Sequence, residues 1–140
     1  MAVTVQLQLV TPEKKLIDAE VPTVLVPGLD GDFGVLPGHT RLISEVRPGM
    51  LIVDTGQEEG EVYAVGGGVA EVSQDIVTVL VDKAVTREDI DLKEAEAEIK
   101  ETTKALKKMT TIDNADPVQV STKERLQFAK AKVDAYGFTS

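Results

Sequence analysis

The sequence predicts an antiparallel β-sandwich followed by a C-terminal α-helical hairpin. Over residues 1–85, short β-rich runs are separated by turn residues and no helical pattern lies between them, which favours an antiparallel sheet and excludes a parallel α/β fold. From Thr86 onward, apolar residues recur at steps of three and four, the period of a helix. We therefore predict a sandwich domain at residues 1–85 and a two-helix hairpin at residues 86–140.

The first strand is indicated by strict alternation. Apolar residues alternate with Thr and Gln at Val3, Val5, Leu7 and Leu9. Because successive side chains of a strand point to opposite faces of the sheet, this segment is a half-buried strand. Similar runs predict strands at residues 16–19, 22–26, 33–36, 41–46, 50–54, 61–65, 69–72 and 75–81.

Three Pro-Gly pairs separate these runs, at Pro27-Gly28, Pro37-Gly38 and Pro48-Gly49. Proline fixes φ and glycine allows positive φ, so each pair is predicted to form a type II turn that ends a strand. Residues 57–60 and the glycines at 66–68 predict further reversals. The glycine triplet lacks the spacing of a phosphate-binding loop, and a bulge or close strand packing is its predicted role.

Two strands are apolar on both faces, at residues 51–53 and 76–81. A strand of this kind is covered on both sides in a folded protein. We expect one face of each to meet the opposing sheet, and the helical hairpin is a candidate to cover the other.

The first helix is predicted to follow Thr86, its candidate N-cap. Acidic residues lie in its first turns and lysines in its last, which suits the helix macrodipole. Its apolar stripe consists of Leu92, Ala95, Ile99, Thr102, Leu106 and Met109.

The second helix is predicted to begin at Asp116-Pro117, an N-cap followed by proline at the first helical position. Gly137 stands where a left-handed C-terminal cap would fall. Phe128 lies off the apolar stripe, and it is either exposed for a partner or packed on the sandwich. The stripe consists of Val118, Thr122, Leu126, Ala129, Val133 and Tyr136.

A short polar linker, residues 110–115, makes the two helices antiparallel neighbours that pack stripe against stripe. Alanine and threonine fill several positions of this seam, and each methylene absent relative to leucine forgoes about 0.8 kcal/mol of burial. We therefore expect the hairpin to be marginally held and able to separate or extend.

Composition excludes several classes of function. The net charge of −9 argues against nucleic acid as a partner. Residues 1–85 carry 5 basic and 13 acidic residues, whereas residues 86–140 carry 10 and 11, so the two regions are expected to meet different partners. No apolar run approaches the roughly 20 residues of a membrane span, so direct membrane insertion is not expected.

No catalytic or metal-binding constellation is evident. There is no cysteine and only one histidine, His39, which excludes a His-based or thiolate metal cluster. Asp30 and Asp32 have the spacing of a calcium loop, but Gly34 and Arg41 stand where further ligands are needed. We predict no metal, no cofactor and no catalytic residue.

The segment from Val26 to His39, VPGLDGDFGVLPGH, resembles the glycine-rich loop of the epsilon subunits of bacterial ATP synthases, called delta in mitochondria. Residues 47–50 (RPGM), 63–72 (YAVGGGVAEV) and 77–81 (VTVLV) are similar to the following signatures of that family, in the same order. The resemblance covers nearly the whole chain and is most specific over residues 26–81. It implies a sandwich of about ten strands.

The resemblance also implies partners: the central-stalk gamma subunit, the membrane rotor ring and the alpha/beta catalytic head of a proton-translocating ATP synthase. It places Gly28, Asp30, Gly31 and Asp32 at the rotor ring and His39 near gamma. In such proteins the C-terminal helices restrain ATP hydrolysis through basic residues that reach an acidic loop of the catalytic beta subunits. The residues implied here are Lys93, Lys100, Lys104, Lys107, Lys108, Lys123, Arg125 and Lys130.

One motif of the family is incomplete. Some bacterial members bind ATP through an Ile/Leu-Asp-x-x-Arg-Ala motif and a second arginine seven residues later. Asp91 matches this motif, but Glu94 and Glu101 stand at the two arginine positions. Carboxylates there repel phosphate, so we predict weak or absent ATP binding.

An alternative function remains open at this point. The chain could be a generic β-sandwich protein-binding module with a purely structural helical hairpin, and the lysines on the first helix could be an ordinary solvated face. No transit peptide is visible, so the resemblance implies a peripheral location on the cytoplasmic face of a bacterial inner membrane.

Overall fold

The structure is a computed structural model that describes residues 4–39, 41–56, 60–109 and 117–138. Within these residues the chain forms ten strands, a short 3₁₀ turn at Arg87–Asp89 and two α-helices. The helices are α1 (Leu92–Lys108) and α2 (Pro117–Gly137). The strands are β1 (Val5–Val10), β2 (Lys15–Val21), β3 (Thr23–Gly28), β4 (Gly31–Val35), β5 (Leu42–Val46), β6 (Gly49–Asp54), β7 (Glu61–Val65), β8 (Gly68–Ser73), β9 (Ile76–Val81) and β10 (Ala84–Thr86).

The strands form one continuous sheet in the order β10-β7-β6-β3-β5-β8-β9-β1-β2, with β4 on β3. The pairing of β1 with β9 is parallel, and the other pairings within the described ranges are antiparallel. Buried side chains of β6 and β7 share one core with those of β1 and β9, so the sheet curls until its two halves face each other. The predicted antiparallel sandwich is confirmed, with β10 as a short strand that the sequence did not indicate.

The core of the sandwich consists of the alternating inward residues of these strands. In β1, Val5, Leu7 and Leu9 are fully buried, as their alternation with polar residues predicts. The phenol of Tyr63 also lies in this core and donates to Glu61 at 2.9 Å. Burial, and after it this hydrogen bond, raises the pKa of Tyr63 above its usual value.

A second apolar cluster lies on the outside of β6 and β7, under α2. Ile52 and Met50 of β6 and Val62 and Ala64 of β7 point away from the sandwich core into this cluster. Phe128, Ala131 and Ala135 of α2 cover them. The predicted cover of residues 51–53 by the hairpin is therefore confirmed, and Phe128 packs on the sandwich.

The matching expectation for residues 76–81 is wrong. Val77 and Val79 are buried, but Ile76 is 42% and Leu80 is 51% exposed. The reason is the placement of α2, which packs on β6 and β7, whereas β9 lies between β8 and β1. Its outer face is left uncovered within the described part of the chain.

The three Pro-Gly pairs behave differently from one another. Gly38 has φ of 83° and His39 N–H donates to Leu36 at 3.2 Å, so the predicted turn at Pro37-Gly38 is confirmed. Gly28 and Gly49 lie within strands, so the turns predicted there are wrong. A Cβ on Gly49 would lie 3.0 Å from Pro27, which shows that these two pairs serve close packing instead.

The glycine triplet also serves close approach, as predicted. Gly66 and Gly68 flank the crossing from β7 to β8, two strands that are not neighbours in the sheet. A Cβ at Gly68 would overlap the Leu80 carbonyl of β9, and one at Gly66 would overlap the Asp82 carboxylate. Residues 57–59 of the other predicted reversal lie outside the described residues, although β6 and β7 on either side pair antiparallel.

The helix ends differ from the sequence expectation. Thr86 is the last residue of β10, and the N-cap of α1 is Asp91, whose carboxylate accepts from Glu94 N–H at 3.1 Å. Thr86 pairs with Tyr63 of β7 in the sheet. Because Thr86 is part of a strand, α1 begins further along the chain. Gly137 is helical and has no positive φ, so the left-handed cap predicted there is wrong. The predicted N-cap Asp116 and the linker 110–115 lie outside the described residues.

The helical seam has the predicted composition at its centre. Ala95 and Thr102 of α1 and Thr122 and Ala129 of α2 are buried. Each threonine hydroxyl donates to the carbonyl four residues earlier, at 2.7 Å, which satisfies it without a bond across the seam. Val118 and Tyr136 of the predicted α2 stripe are instead 65% and 49% exposed, because α2 divides its buried surface between α1 and the sheet.

A core substitution checks this description of the sandwich. Leu7→Ala removes a fully buried side chain and is expected to lower the free energy of unfolding by about 2–5 kcal/mol. Leu80→Ala changes the same side chain on an exposed surface of the neighbouring strand β9 and is expected to cost less than about 1 kcal/mol. Urea denaturation of both variants measures the difference, and equal losses would contradict the assigned faces.

Candidate functional site

The β3–β4 hairpin ends in a tip loop, residues 28–32, that contains the four residues predicted to meet the rotor ring. Gly28 pairs with Gly31, so only Leu29 and Asp30 form the turn between the strands. Gly31 has φ of 139°, a backbone conformation that L side chains rarely adopt. Leu29 is 56% exposed and Asp30 is exposed. The two-residue turn therefore presents one apolar and one acidic side chain to solvent.

Arg47, which follows β5, holds the tip loop against the sandwich. Its Nη2 forms an ion pair with Asp32 Oδ1 at 2.6 Å, and its Nη1 donates to the Gly28 carbonyl at 3.3 Å. Its backbone N–H donates to Pro27 at 2.9 Å. Because one side chain contacts both strands of the hairpin, the tip loop has a fixed orientation relative to β5.

Gly28 is required by the close approach of the two strands. A Cβ at this position would lie 2.6 Å from the Gly31 carbonyl oxygen and 3.0 Å from the Phe33 ring. Gly34, one strand residue beyond Phe33, has open space where its Cβ would be. The two glycines of this hairpin therefore have different structural roles.

His39, the predicted gamma contact, lies at the other end of β4 from the tip loop. Its loop is tied to the β8–β9 turn, where Asp75 Oδ1 accepts from Gly38 N–H at 2.7 Å. The structure thus separates the residues predicted for the ring from the one predicted for gamma by the length of β4.

The basic residues of the hairpin fall into three groups. On α1, the lysines at 93, 100, 104, 107 and 108 are exposed. On α2, Lys123 is exposed, while Arg125 Nη2 pairs with Glu98 Oε1 of α1 at 2.6 Å. Lys130 borders an open cleft of about 260 Å³ that it shares with Asp32, Arg47 and Asp134. One of the predicted head contacts therefore lies beside the tip loop in this arrangement of the helices.

The residues of the incomplete nucleotide motif are not gathered around one pocket. Asp91 is used as the N-cap of α1. Glu94 lines a cleft with Lys83 and Lys132, and Glu101 lies exposed two turns further along α1. Weak or absent ATP binding stays a prediction. Among the described residues, no group of three or more acidic or histidine side chains could hold a metal ion.

Sequence reasoning missed two structural contacts of the site. The first is the contact of Arg47 with the tip loop, since nothing in the sequence pairs residue 47 with residue 32. The second is the contact of two lysines with Phe128: Lys83 Nζ lies 4.6 Å and Lys132 Nζ 5.1 Å from its ring centroid. The spacing of Phe128, Ala131 and Ala135 was an available signal for a second buried face of α2.

Comparison with known proteins agrees with the fold. Residues 4–87 match the family described as ATP synthase, Delta/Epsilon chain, beta-sandwich domain. The chain belongs to this family. Similar family members include the ATP synthase epsilon chain of Desulfosudis oleivorans, 45% identical over 98 residues that cover 69% of this chain and 73% of the relative. The epsilon chain of Psychrobacter arcticus is 36% identical over 118 residues, covering 84% and 82%.

Two solved structures share the fold over nearly the full chain. One is a chain of the Euglena gracilis mitochondrial ATP synthase structure of OSCP, F1 and c-ring, with a TM-score of 0.78 and 22% identity, covering 96% of this chain and 82% of that one. The other comes from the central stalk and c-ring of the Tetrahymena thermophila mitochondrial enzyme, with a TM-score of 0.63 and 14% identity, covering 94% and 95%. The likeness extends to the helical hairpin, which lies outside the matched family domain.

The tip loop can be tested with its two glycines. Gly28→Ala forces a Cβ against the Gly31 carbonyl and is expected to destabilise the sandwich by about 1–3 kcal/mol. Gly34→Ala, in the same hairpin, meets no atom within 4 Å and is expected to change stability by less than about 0.5 kcal/mol. Thermal unfolding and hydrogen exchange of residues 28–32 report the effect. A Gly28→Ala protein as stable as Gly34→Ala would refute the close approach.

Proposed function

We propose that this chain is a non-catalytic central-stalk subunit of a proton-translocating ATP synthase, which couples the membrane ring to the catalytic head and restrains ATP hydrolysis through its C-terminal helices. The observation that carries the proposal is the match of residues 4–87 to the delta/epsilon chain family. In this proposal residues 1–85 bind the stalk and ring, and residues 86–140 regulate ATP hydrolysis by the catalytic head.

The tip loop is the proposed contact with the rotor ring. It projects Leu29 and Asp30 beyond the sheet, and Arg47 fixes its direction through Asp32 and the Gly28 carbonyl. A loop that transmits torque has to resist sideways displacement, which a clamped two-residue turn does better than a long loop. The short turn therefore suits a mechanical contact.

The outer face of β5, β8 and β9, together with His39, is the proposed contact with gamma. Val69 and Leu80 are cross-strand partners on this face and are 42% and 51% exposed, and Ile43 on β5 is 74% exposed. Apolar side chains grouped on one face of a sheet are typical of a protein-binding surface. His39 lies at the start of the segment that leads into β5.

The exposed lysines of α1 are the proposed contact with the catalytic head. They lie on the face of α1 away from the buried Ala95 and Thr102. A partner surface of acidic side chains would complement them. Reaching the head requires the hairpin to leave the sandwich, and the small side chains that α2 packs on the sheet, Ala131 and Ala135, favour this.

The location follows from these contacts. None of the helices in the described ranges is long and apolar enough to cross a membrane. We propose a peripheral protein held by the ring and stalk on the cytoplasmic face of a bacterial inner membrane.

Binding to gamma tests the coupling role. Isolated gamma is expected to co-purify with the full chain, and Ile43→Asp is expected to weaken binding about tenfold or more because it replaces the most exposed apolar side chain of this face with a charge. Val118→Asp introduces the same charge at an exposed valine of α2 and is expected to bind as the unaltered chain does. Failure of the unaltered chain to bind gamma would favour the generic binding module.

Inhibition of ATP hydrolysis tests the hairpin role. Lys104→Glu reverses one exposed charge of α1 and is expected to raise the inhibition constant for the catalytic head about tenfold, the effect of losing one close charge pair. Lys14→Glu makes the same change in the β1–β2 loop and serves as the control. Equal inhibition by both variants would remove the lysines of α1 from the contact.

A further inference from the structure

Arg87 connects the end of the sandwich to the end of the hairpin. It directly follows β10, and its Nε donates to the Ala135 carbonyl of α2 at 3.0 Å. Its Nη2 donates to the Phe138 carbonyl, and its guanidinium lies 6.0 Å from the centre of the Phe138 ring. These partners are 48 and 51 residues away along the chain. One side chain therefore joins the start of the C-terminal region to its end.

The chemistry of this contact suits the end of a helix. The last carbonyls of an α-helix have no partner within the helix, and they carry the negative end of its dipole. A guanidinium supplies a positive charge and several donors in a rigid fork, so it can bind two such carbonyls at once. Gly137 does not form a left-handed cap, and the Ala135 carbonyl accepts from Phe138 N–H at 3.3 Å as well as from Arg87, so Arg87 completes the C-terminal capping of α2.

The rest of the contact between α2 and the sandwich is made largely by small side chains. Apart from Phe128, the side chains that α2 buries against β6 and β7 are the alanines 131 and 135. An alanine contributes a single methyl group to such a surface, so apolar burial alone holds the helix weakly. The hydrogen bonds from Arg87 therefore contribute a large part of the free energy that holds α2 on the sandwich.

We infer that Arg87 is a latch that keeps the helical hairpin docked on the sandwich. Breaking its bonds to Ala135 and Phe138 frees the C-terminal end of α2 and lets the hairpin leave β6 and β7. The latch itself is a property of the isolated chain, and its consequence for hydrolysis rests on the proposed function. Release of the latch shifts the population toward hairpins that can reach the catalytic head.

Hydrogen exchange of the isolated full chain tests the latch. Arg87→Gln is expected to speed exchange of the amides of residues 128–137 roughly tenfold or more, the effect of losing a hydrogen bond to a charged group. The amides of β1, β8 and β9 are expected to keep their protection. Arg87→Lys keeps the charge with a single nitrogen, and its exchange is expected to be intermediate.

The matched control is Arg125→Gln, which removes the ion pair of α2 with Glu98 of α1 but leaves α2 on the sandwich. Exchange of residues 128–137 in this variant is expected to rise at most about fivefold, as for an exposed ion pair. Arg87→Gln exchange that does not exceed that of Arg125→Gln would overturn the latch. Loss of protection in β1, β8 and β9 by both Arg87 variants would overturn it too. If Arg87→Gln unfolds the sandwich and Arg87→Lys does not, the exchange of residues 128–137 in Arg87→Lys is compared with that in Arg125→Gln instead. Exchange in Arg87→Lys that does not exceed that of Arg125→Gln would then overturn the latch.

A second measurement separates the latch from the proposed function. With the catalytic head, Arg87→Gln is expected to inhibit ATP hydrolysis at a lower concentration than the unaltered chain, by the same factor as the change in exchange. Faster exchange with unchanged inhibition would support the latch and contradict the inhibitory role. Unchanged exchange would contradict the latch, whatever the result with gamma or the head.

Discussion

The burial of β6 and β7 on both faces is the constraint on which the rest of the structure depends. One face of these strands fills the core of the curled sheet, and the other is covered by α2. A two-sided strand exposes an apolar face to water when it is left uncovered, so the sheet determines where α2 docks. α1 is then a further layer, since its main packing partner is α2. The hairpin is thereby an integral cover of the sheet.

This arrangement leaves two candidate contact surfaces on the sandwich, one of which, the tip loop, borders a cleft with α2. The tip loop projects at one end of β4, and the outer face of β5, β8 and β9 lies uncovered beside the loop of His39. Arg47 and Arg87 have parallel roles in this design. Each lies just after a strand and uses its guanidinium to hold a separate element, the tip loop in one case and the end of α2 in the other. The first attachment fixes the direction of the tip loop, and the second holds the end of α2 against the sandwich.

Nine of the ten strands and both helices could be predicted because their signals are local. Alternation in β1, the apolar runs of β6 and β9 and the 3.6-residue period of α1 follow from how side chains leave a strand or a helix. Exposure of the outer face of β9 could not be predicted, because β9 and β6 are both apolar on two faces in the sequence. Only the position of α2, which covers β6 and not β9, distinguishes the two strands. Thr86 was misjudged for a similar reason, since its pairing with Tyr63 of β7 overrides its capping preference.

The sequence alone determined the fold class, the division into strands and helices, and the glycine and aspartate composition of the tip loop. Tertiary structure alone decided which apolar face is covered, that Gly28 and Gly49 serve packing and not turns, and that Arg47 and Arg87 reach partners distant in the chain. The physical reason is the distance along the chain over which each effect acts. Backbone preferences and periodicity act over a few residues. Coverage of a sheet face and the partner of a long side chain depend on segments that meet only when the sheet has curled and α2 has docked.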